Sequence, residues 1–268
     1  MSVKNVSFVG LGVMGYPMAG HLQKNGYNVT VFNRTESKAK KWVEEYGGQM
    51  GKTPNEASLN AEIVFMCVGR DEDIIEVMEG DNGILSSAKE GLIIVDHTTA
   101  SAEIARTYFA KLQKRNVAFL DAPISGGQAG AENGALSIMI GGQENDFEVV
   151  KPVLQSYGKA IELIGPSGSG QIAKMINQIC IAGLVQGLSE AMAFGKKAKV
   201  DMEKVLSVIS KGAAQSWQME NRYRTMIDGK FDFGFAVDWM RKDLKIAMDE
   251  AKKNNSPLPI TKIIDEYY

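Results

Sequence analysis

Apolar positions follow two different patterns in the two parts of the chain. Up to residue 164, short apolar runs alternate with stretches of helical periodicity. The runs lie at 6–9, 28–32, 63–67, 92–96, 117–121, 136–140 and 160–164. Short apolar strands that alternate with helices are typical of βαβ units, which build a parallel sheet. We expect the last two runs, which flank a helix predicted near 146–157, to close that sheet.

The strand pattern stops at Gly165-Pro-Ser-Gly-Ser-Gly170. Such glycine- and serine-rich stretches are typical of turns and domain boundaries. A long apolar helix is predicted from near Gly170 towards Lys199, and shorter helices follow on either side of an aromatic loop at 231–235. We therefore predict an α/β domain at 1–164 and an all-helical domain at 165–268, linked by the long interdomain helix.

The first apolar run leads directly into Gly10-Leu11-Gly12-Val13-Met14-Gly15, and a helical pattern follows. In a strand–turn–helix context, the first glycine of Gly-x-Gly-x-x-Gly permits the tight turn and the second lets the backbone approach a pyrophosphate. The third lets the helix pack closely on the strand. The sequence therefore predicts a Rossmann-type doubly wound parallel sheet that binds a dinucleotide through residues 10–15. The alternative is a tight turn that binds nothing.

The end of the second predicted strand indicates which dinucleotide binds. A carboxylate at this position usually holds the adenosine ribose, whereas an arginine accommodates a 2′-phosphate. Asn33, Arg34 and Thr35 stand here, and none of them is acidic. This favours NADP over NAD, with NAD still possible. A surface arginine at a helix start is the alternative.

Ligands of open α/β sheets bind beyond the carboxyl ends of the strands, so the residues that follow the other strands are candidates as well. Cys67 and Val68 are predicted cofactor contacts, and Cys67 is expected to pack rather than to act as a nucleophile. Ser125-Gly126-Gly127 offers a hydroxyl and accessible backbone N–H groups, which suit a substrate carboxylate. A plain glycine-rich loop remains the alternative there.

Polar residues interrupt the start of the long apolar helix. Lys174, Asn177 and Gln178 are three and four residues apart, so their side chains share one face. A helix that is apolar nearly all round is expected to be buried, and a buried ammonium is costly unless it is used. Lys174 is therefore a candidate general acid and base. The alternative is a lysine whose stem packs while its amine reaches water.

Composition excludes several other classes. The chain has 268 residues, of which 44% are hydrophobic and 23% charged, and its net charge is −2. These values are typical of a globular protein and suggest neither a nucleic acid nor an anionic membrane as partner. Cys67 and Cys180 form no CxxC pair, so we expect no disulfide framework and no metal site. With no signal peptide or transmembrane helix recognised, a cytoplasmic protein is expected.

Four motifs together resemble one known family. They are Gly-Leu-Gly-Val-Met-Gly at 10–15, Asp-Ala-Pro-Ile-Ser-Gly-Gly at 121–127, Gly-x-Gly-x-x-x-Lys-x-x-Asn-Gln at 168–178 and Lys-Asp-Leu at 242–244. Their order and spacing resemble those of the β-hydroxyacid dehydrogenases over essentially the whole chain. That family includes 3-hydroxyisobutyrate and γ-hydroxybutyrate dehydrogenases and tartronate semialdehyde reductases.

The resemblance implies roles for individual residues. Lys174 matches the catalytic lysine, and Ser125, Gly126 and Gly127 match the loop that holds the substrate carboxylate. Asn177 and Gln178 match the pair that contacts the substrate, although many relatives have asparagine at the second position. Thr99 matches a threonine beside the nicotinamide, and Lys242 matches a cofactor contact that Asp243 supports.

The resemblance thus implies an oxidoreductase that moves a hydride between NADP(H) and a small β-hydroxyacid or its semialdehyde. An imine reductase of the same fold and a non-catalytic NADP-binding module remain alternatives. Relatives of both kinds generally lack the lysine, so Lys174 counts against them. A phosphogluconate-type decarboxylating enzyme is disfavoured because its helical region is much longer. The long apolar helix suggests a homodimer or homotetramer.

Overall fold

The computed structural model describes residues 3–232 and 234–268, so Phe233 of the predicted aromatic loop lies outside the described residues. The chain forms two compact units, the first running to Lys174 and the second from Met175 to Tyr268. The last strand of the first unit ends at Gly165. The helix that follows begins at Ser169, so its residues up to Lys174 belong to the first unit.

The first unit is built on a sheet that contains nine strands among the described residues. They are β1 (Asn5–Val9), β2 (Asn28–Phe32), β3 (Gln49–Met50), β4 (Ile63–Met66), β5 (Ile93–Asp96), β6 (Ala118–Asp121), β7 (Ile124–Ser125), β8 (Leu136–Gly141) and β9 (Gly158–Gly165). Their order is β3-β2-β1-β4-β5-β6-β8-β7, and β9 also pairs with β8. The pairs of β8 with β6 and β7 are antiparallel and the other pairs are parallel. The predicted α/β fold class is confirmed.

Helices cover both faces of this sheet, as the alternation of strand side chains requires. They are α1 (Gly15–Lys24), α2 (Glu36–Tyr46), α3 (Pro54–Ser58), α4 (Asp71–Glu79), α5 (Ala102–Gln113), α6 (Gly127–Glu132) and α7 (Glu144–Leu154), with a 3-10 turn at Ile84–Ser86. Phe8 and Phe65 belong to one core cluster, whereas their neighbours Val9 and Met66 belong to the other. Strands buried on both faces explain why the runs are apolar throughout.

The strand order reverses beside β1. From β1 the chain builds β2 and β3 on one side and then crosses to build β4, β5 and β6 on the other. In doubly wound sheets, such a reversal opens a crevice at the carboxyl ends of the two central strands, and ligands bind there. Gly10 follows β1 and Cys67 follows β4, so the residues after these two strands line that edge.

The second unit is helical in the residues described. It contains most of α8 (Ser169–Lys197), followed by α9 (Met202–Ile209), α10 (Trp217–Ile227), α11 (Val237–Lys253) and α12 (Pro259–Tyr267). Two small apolar clusters stabilise it. One consists of Ala182, Met240, Leu244 and Ile264, and the other of Leu188, Leu206 and Met219. The all-helical prediction for this part of the chain is confirmed.

The expectation that α8 is buried all round was wrong. Ile176 is 58% exposed, Leu184 48% and Phe194 76%. The helices that follow α8 cover only part of its surface. Ala182 and Leu188 are its buried members of the two small clusters, and Ile181 and Met192 pack against those clusters. Among the described residues, α8 is also the one helix long and apolar enough to cross a membrane by length and composition alone. Core helices of soluble proteins pass the same test.

Candidate active site

The glycine-rich turn after β1 has the shape that a dinucleotide requires. Gly10 has a φ of 97°, and a Cβ there would overlap the carbonyl oxygen of Cys67. A Cβ on Gly15 would overlap the carbonyl oxygen of Gly10, so α1 can approach β1 only with glycine at this position. A Cβ on Gly12 would meet no heavy atom within 4 Å. The space over Gly12 is therefore open to a pyrophosphate, and the residues present fit the predicted cofactor.

The residues within and beside this turn differ in what they can contact. The side chain of Leu11 is buried in the core, and its N–H donates to Oδ1 of Asn33 at 2.9 Å. Nδ2 of Asn33 donates to the carbonyl of Thr35 at 3.1 Å. Asn33 therefore links the turn to the end of β2. Beyond Asn33, Arg34 and Thr35 are exposed. Within the turn, Gly12 and Val13 are exposed and Met14 is half-buried.

The ends of β4 and β5 are tied together behind the same edge. Cys67 and Val68 are half-buried, and the N–H of Val68 donates to Oγ1 of Thr98 at 3.0 Å. The N–H of Thr98 in turn donates to Oδ1 of Asp96 at 2.9 Å. Burial raises the pKa of Asp96 to about 7, and the hydrogen bonds from Thr98 oppose that rise. Thr99 is half-buried between Thr98 and Ala100, both of which are buried.

His97 is a structural residue rather than a candidate acid or base. Its ring is buried, with Nδ1 2.6 Å from the carbonyl oxygen of Ala122 and Nε2 2.8 Å from the hydroxyl of Tyr157. Burial lowers the pKa of His97 to about 4. The neutral ring therefore donates from Nδ1 to Ala122 and accepts the Tyr157 hydroxyl at Nε2.

The predicted carboxylate loop is formed by the end of β7 and the start of α6. Ser125 pairs with Ser137 of β8 and is half-buried. Gly126 has a φ of 136° and Gly127 a φ of 61°, conformations that favour glycine. Both glycines are exposed, and a Cβ on Gly127 would meet nothing within 4 Å. The backbone of this turn is thus accessible to a small ligand.

The start of α8 is held against the sheet by Asp121, the first residue of the 121–127 motif, to which the sequence assigned no role. Its Oδ1 accepts the N–H of Gly168 at 2.7 Å, and its Oδ2 accepts the N–H of Gln171 at 3.0 Å. Burial raises the pKa of Asp121, and these hydrogen bonds oppose that rise. Its positions at the carboxyl end of β6 and at the start of the 121–127 motif were the signals available. A Cβ on Gly170 would lie 2.5 Å from the carbonyl oxygen of Met139, so glycine permits the close approach.

This anchoring brings Lys174 to the edge of the sheet. Lys174 is 7% exposed, and its Nζ donates to the carbonyl oxygen of Ile124 at 2.7 Å. Ile124 immediately precedes Ser125, so the amine lies beside the carboxylate loop. A lysine whose amine reaches bulk water does not fit this geometry, because burial of an ammonium is costly unless hydrogen bonds compensate for it.

The polar residues of the second unit form a separate group. Nε2 of Gln178 donates to Oδ2 of Asp243 at 2.7 Å, and Nδ2 of Asn177 donates to Oε1 of Gln178 at 2.8 Å. Nζ of Lys242 lies 3.3 Å from Oδ1 of Asp243 and 5.4 Å from the centre of the Trp239 ring. Asp243 thus holds both Lys242 and Gln178. Gln178 is buried and Asn177 half-buried.

Among residues 3–232 and 234–268, no three side chains of histidine, cysteine, aspartate or glutamate lie close enough together to hold a metal ion.

Comparison with known proteins identifies the family. Residues 5–165 match the family model described as the NAD binding domain of 6-phosphogluconate dehydrogenase. Residues 168–268 match the model described as the NAD-binding domain of NADP-dependent 3-hydroxyisobutyrate dehydrogenase.

Similar proteins have names that agree with these models. An uncharacterised oxidoreductase of Shewanella frigidimarina is 59% identical over 98% of this chain and 90% of its own length. The 2-hydroxy-3-oxopropionate reductase of Escherichia coli is 34% identical over 98% of this chain and 89% of its own. The crystal structure of a 3-hydroxyisobutyrate dehydrogenase from Salmonella typhimurium superposes with a TM-score of 0.87 at 28% identity, covering 98% and 92% of the two chains.

These matches cover both units of the chain and support an NAD(P)-dependent hydroxyacid dehydrogenase activity. The open glycine turn after β1 and the lysine beside Ser125 agree with that activity. The chain therefore belongs to the β-hydroxyacid dehydrogenase family.

Proposed function

We propose that this protein interconverts a small β-hydroxyacid of the 3-hydroxyisobutyrate type and its semialdehyde with NADP(H), with Lys174 as the general acid and base. The observation that carries the proposal is the buried amine of Lys174, which donates to the Ile124 carbonyl one residue before Ser125. A buried ammonium costs free energy, so its retention at the ligand-binding edge of the sheet favours a chemical role.

Lys174 donates and accepts the proton of the reaction. When bound, the nicotinamide supplies or accepts the hydride. The ammonium form of Lys174 donates a proton to the substrate oxygen during reduction, and the neutral amine accepts that proton during oxidation. The hydrogen bond to Ile124 fixes the direction of Nζ, so the amine does not have to be ordered during each turnover.

The substrate is held through its carboxylate and its reacting oxygen. Ser125 provides a hydroxyl, and Gly126 and Gly127 provide backbone N–H groups in a turn open to a ligand. Asn177 is the better candidate to orient the substrate hydroxyl, because Gln178 is buried and donates to Asp243. The predicted contact of Gln178 with the substrate stays a prediction.

The cofactor is NADP in this proposal. Residues 10–15 hold the pyrophosphate at the N-terminus of α1, and Arg34 with Thr35 holds the 2′-phosphate. Cys67, Val68 and Thr99 contact the nicotinamide half, which agrees with their place after β4 and β5. The cofactor contact of Lys242 stays a prediction.

Replacing Lys174 tests the assignment of the general acid and base. We expect Lys174→Ala to lower kcat by about 10²- to 10⁴-fold, because one proton-transfer group is lost. The dissociation constant for NADPH, measured by fluorescence titration, should change little. Lys114→Ala, at an exposed lysine that follows α5, is the matched control and should keep wild-type kcat. Retained turnover in Lys174→Ala would remove this residue from the mechanism.

The substrate class is tested with the unmodified protein. NADPH consumption should be measured with succinic semialdehyde, glyoxylate, tartronate semialdehyde and methylmalonate semialdehyde, beside cyclic imines. We expect turnover with at least one of the four acids. Turnover with the imines alone would favour the imine reductase alternative. NADPH binding without any turnover would favour the non-catalytic module.

A further inference from the structure

Gln171 is a buried residue to which neither the family motif nor the proposed mechanism gives a role. It is 1% exposed and lies on the first turn of α8, between the Asp121 cap and Lys174. Its Oε1 accepts the N–H of Ala100 at 3.0 Å, and its Nε2 donates to the carbonyl of Thr98 at 2.8 Å. Its own N–H donates to Asp121. The side chain therefore bonds to the backbone on both sides of one residue.

That residue is Thr99. Thr98 and Ala100 are buried, whereas Thr99 between them is half-buried. The carbonyl before Thr99 and the N–H after it both bond to the amide of Gln171. The backbone at Thr99 therefore has little freedom to move. The two hydrogen bonds of Gln171 thus restrain the backbone on both sides of Thr99.

The same glutamine is rigidly connected to Lys174. The two residues are three positions apart on one helix, so they share a face and a hydrogen-bonded turn. A shift of this turn relative to the end of β5 would therefore have to break the two bonds of Gln171.

We propose that Gln171 is a positioning residue that holds Thr99 and Lys174 at a fixed separation. The inference rests on the proposed function, in which Thr99 contacts the nicotinamide half of the cofactor and Lys174 moves the proton. Only an amide of this length offers one donor and one strong acceptor to these two backbone groups, since a glutamate carboxylate lacks the donor and methionine has no donor and only a weakly accepting sulfur. Misplacement of reacting groups by about 1 Å can cost on the order of 10²-fold in rate.

Gln171→Met is the direct test, because it keeps the size of the side chain and removes both bonds. We expect kcat to fall about 10- to 100-fold while the dissociation constant for NADPH changes little. Gln23→Met is the matched control. It removes a glutamine that accepts the N–H of Val29 at 3.2 Å, at the start of β2 rather than at the site, and should keep wild-type kcat.

A double-mutant cycle separates positioning from general damage to the fold. If Gln171 acts through Thr99, adding Thr99→Val to Gln171→Met should lower kcat little beyond the slower single variant. Hydrogen exchange at the amide of Ala100 should be faster in Gln171→Met than in the wild-type protein. If Gln171→Met does not fold, Gln171→Asn replaces it, since its shorter amide cannot make both bonds.

The outcomes distinguish this inference from the proposed function. Wild-type kcat in the Gln171 variant, or fully multiplicative losses in the cycle, would overturn the inference while an inactive Lys174→Ala keeps the proposed function. Full turnover in Lys174→Ala would overturn the proposed function instead. In that case, unchanged hydrogen exchange at the Ala100 amide in Gln171→Met would overturn the positioning role of Gln171 as well.

Discussion

At the scale of single residues, the candidate site depends on polar groups buried behind it. Asp121 caps α8, and the neutral ring of His97 links the carbonyl of Ala122 to Tyr157. Ala122 and Ile124 belong to the short segment between β6 and the carboxylate loop. Asp121 and His97 therefore support the segment that contains the Ile124 carbonyl, which orients Lys174. Neither of the two was a predicted site residue.

His97 should make the stability of the protein depend on pH below neutrality. Its pKa is about 4 in the folded protein against 6.5 for an ordinary histidine, so between these values the unfolded chain binds the extra proton. The contribution of the neutral ring to the unfolding free energy is fully present above pH 6.5 and is lost as the pH falls towards 4. Asp96, with a pKa raised to about 7, has the opposite dependence: its buried neutral form favours folding at low pH.

His97→Asn isolates the histidine, because the asparagine amide can still donate to Ala122 but does not titrate. From pH 6.5 to 4, we expect the wild-type protein to lose on the order of 3 kcal/mol of unfolding free energy relative to this variant. Asp96 is present in both proteins, so its contribution cancels in the difference. Urea denaturation at several pH values measures it, and a difference independent of pH would contradict the buried neutral state.

Arg34 tests the cofactor preference. It is exposed beyond Asn33 at the end of β2, where an amide takes the place of the usual carboxylate. A charge-assisted hydrogen bond contributes about 1.5–3 kcal/mol, so Arg34→Ala should raise KM for NADP about 10- to 100-fold. KM for NAD serves as the internal control and should change little. Equal losses with the two cofactors would contradict the preference for NADP.

At the scale of elements, the glycines of α8 do two different things. A Cβ on Gly170 would crowd the carbonyl oxygens of Met139 and Asp121, whereas a Cβ on Gly183 would meet nothing within 4 Å. Gly170→Ala should therefore displace the first turn of α8, lower kcat through Lys174 and cost about 1–3 kcal/mol of stability. Gly183→Ala on the same helix should keep kcat and add at most about 1 kcal/mol.

Steady-state kinetics and thermal melting of the two α8 variants check this prediction. Equal behaviour of Gly170→Ala and Gly183→Ala would show that close packing at the start of α8 is not needed to place Lys174.

The sequence predicts the long, regular elements well and the short ones poorly. The strands β1, β2, β4, β5 and β6 lie where their apolar runs predict, because burial on both faces leaves a continuous signal. The two-residue strands β3 and β7 and the short helix α6 are too short to carry a period. The antiparallel direction of β8 depends on pairing with β6 and β7, which a run of apolar residues does not encode.

The same distinction applies to the site. Gly10, Gly12 and Gly15 could be assigned separate tasks because the turn is local, and the open space over Gly12 agrees with the prediction. The partners of Lys174 and Gln171 could not be predicted, because Ile124 is 50 residues from Lys174 and Ala100 is 71 residues from Gln171. Such pairs arise only once the strand order is set. The buried roles of Asp121 and His97 follow for the same reason.

At the scale of the whole molecule, the exposed apolar side chains of α8 support the prediction of a homodimer or homotetramer. Leu184 is 48% exposed and Phe194 76%, which is unusual for large apolar side chains along one helix. A second copy of the chain would remove this surface from water, and each fully buried side chain of this size contributes about 1.5–3 kcal/mol. We therefore expect light scattering coupled to gel filtration to report a dimer or tetramer.

Charge substitutions show whether α8 lies in that contact. Leu184→Glu and Phe194→Glu should shift the measured mass towards the monomer, because a glutamate buried in an apolar contact is costly. Val149→Glu is the matched control: Val149 is 47% exposed on α7 of the first unit and should keep the wild-type mass. A monomeric wild-type protein would contradict the oligomer. An unchanged mass in both α8 variants would keep the oligomer and exclude these two residues from its contact, since the glutamates are tolerated only where water reaches them.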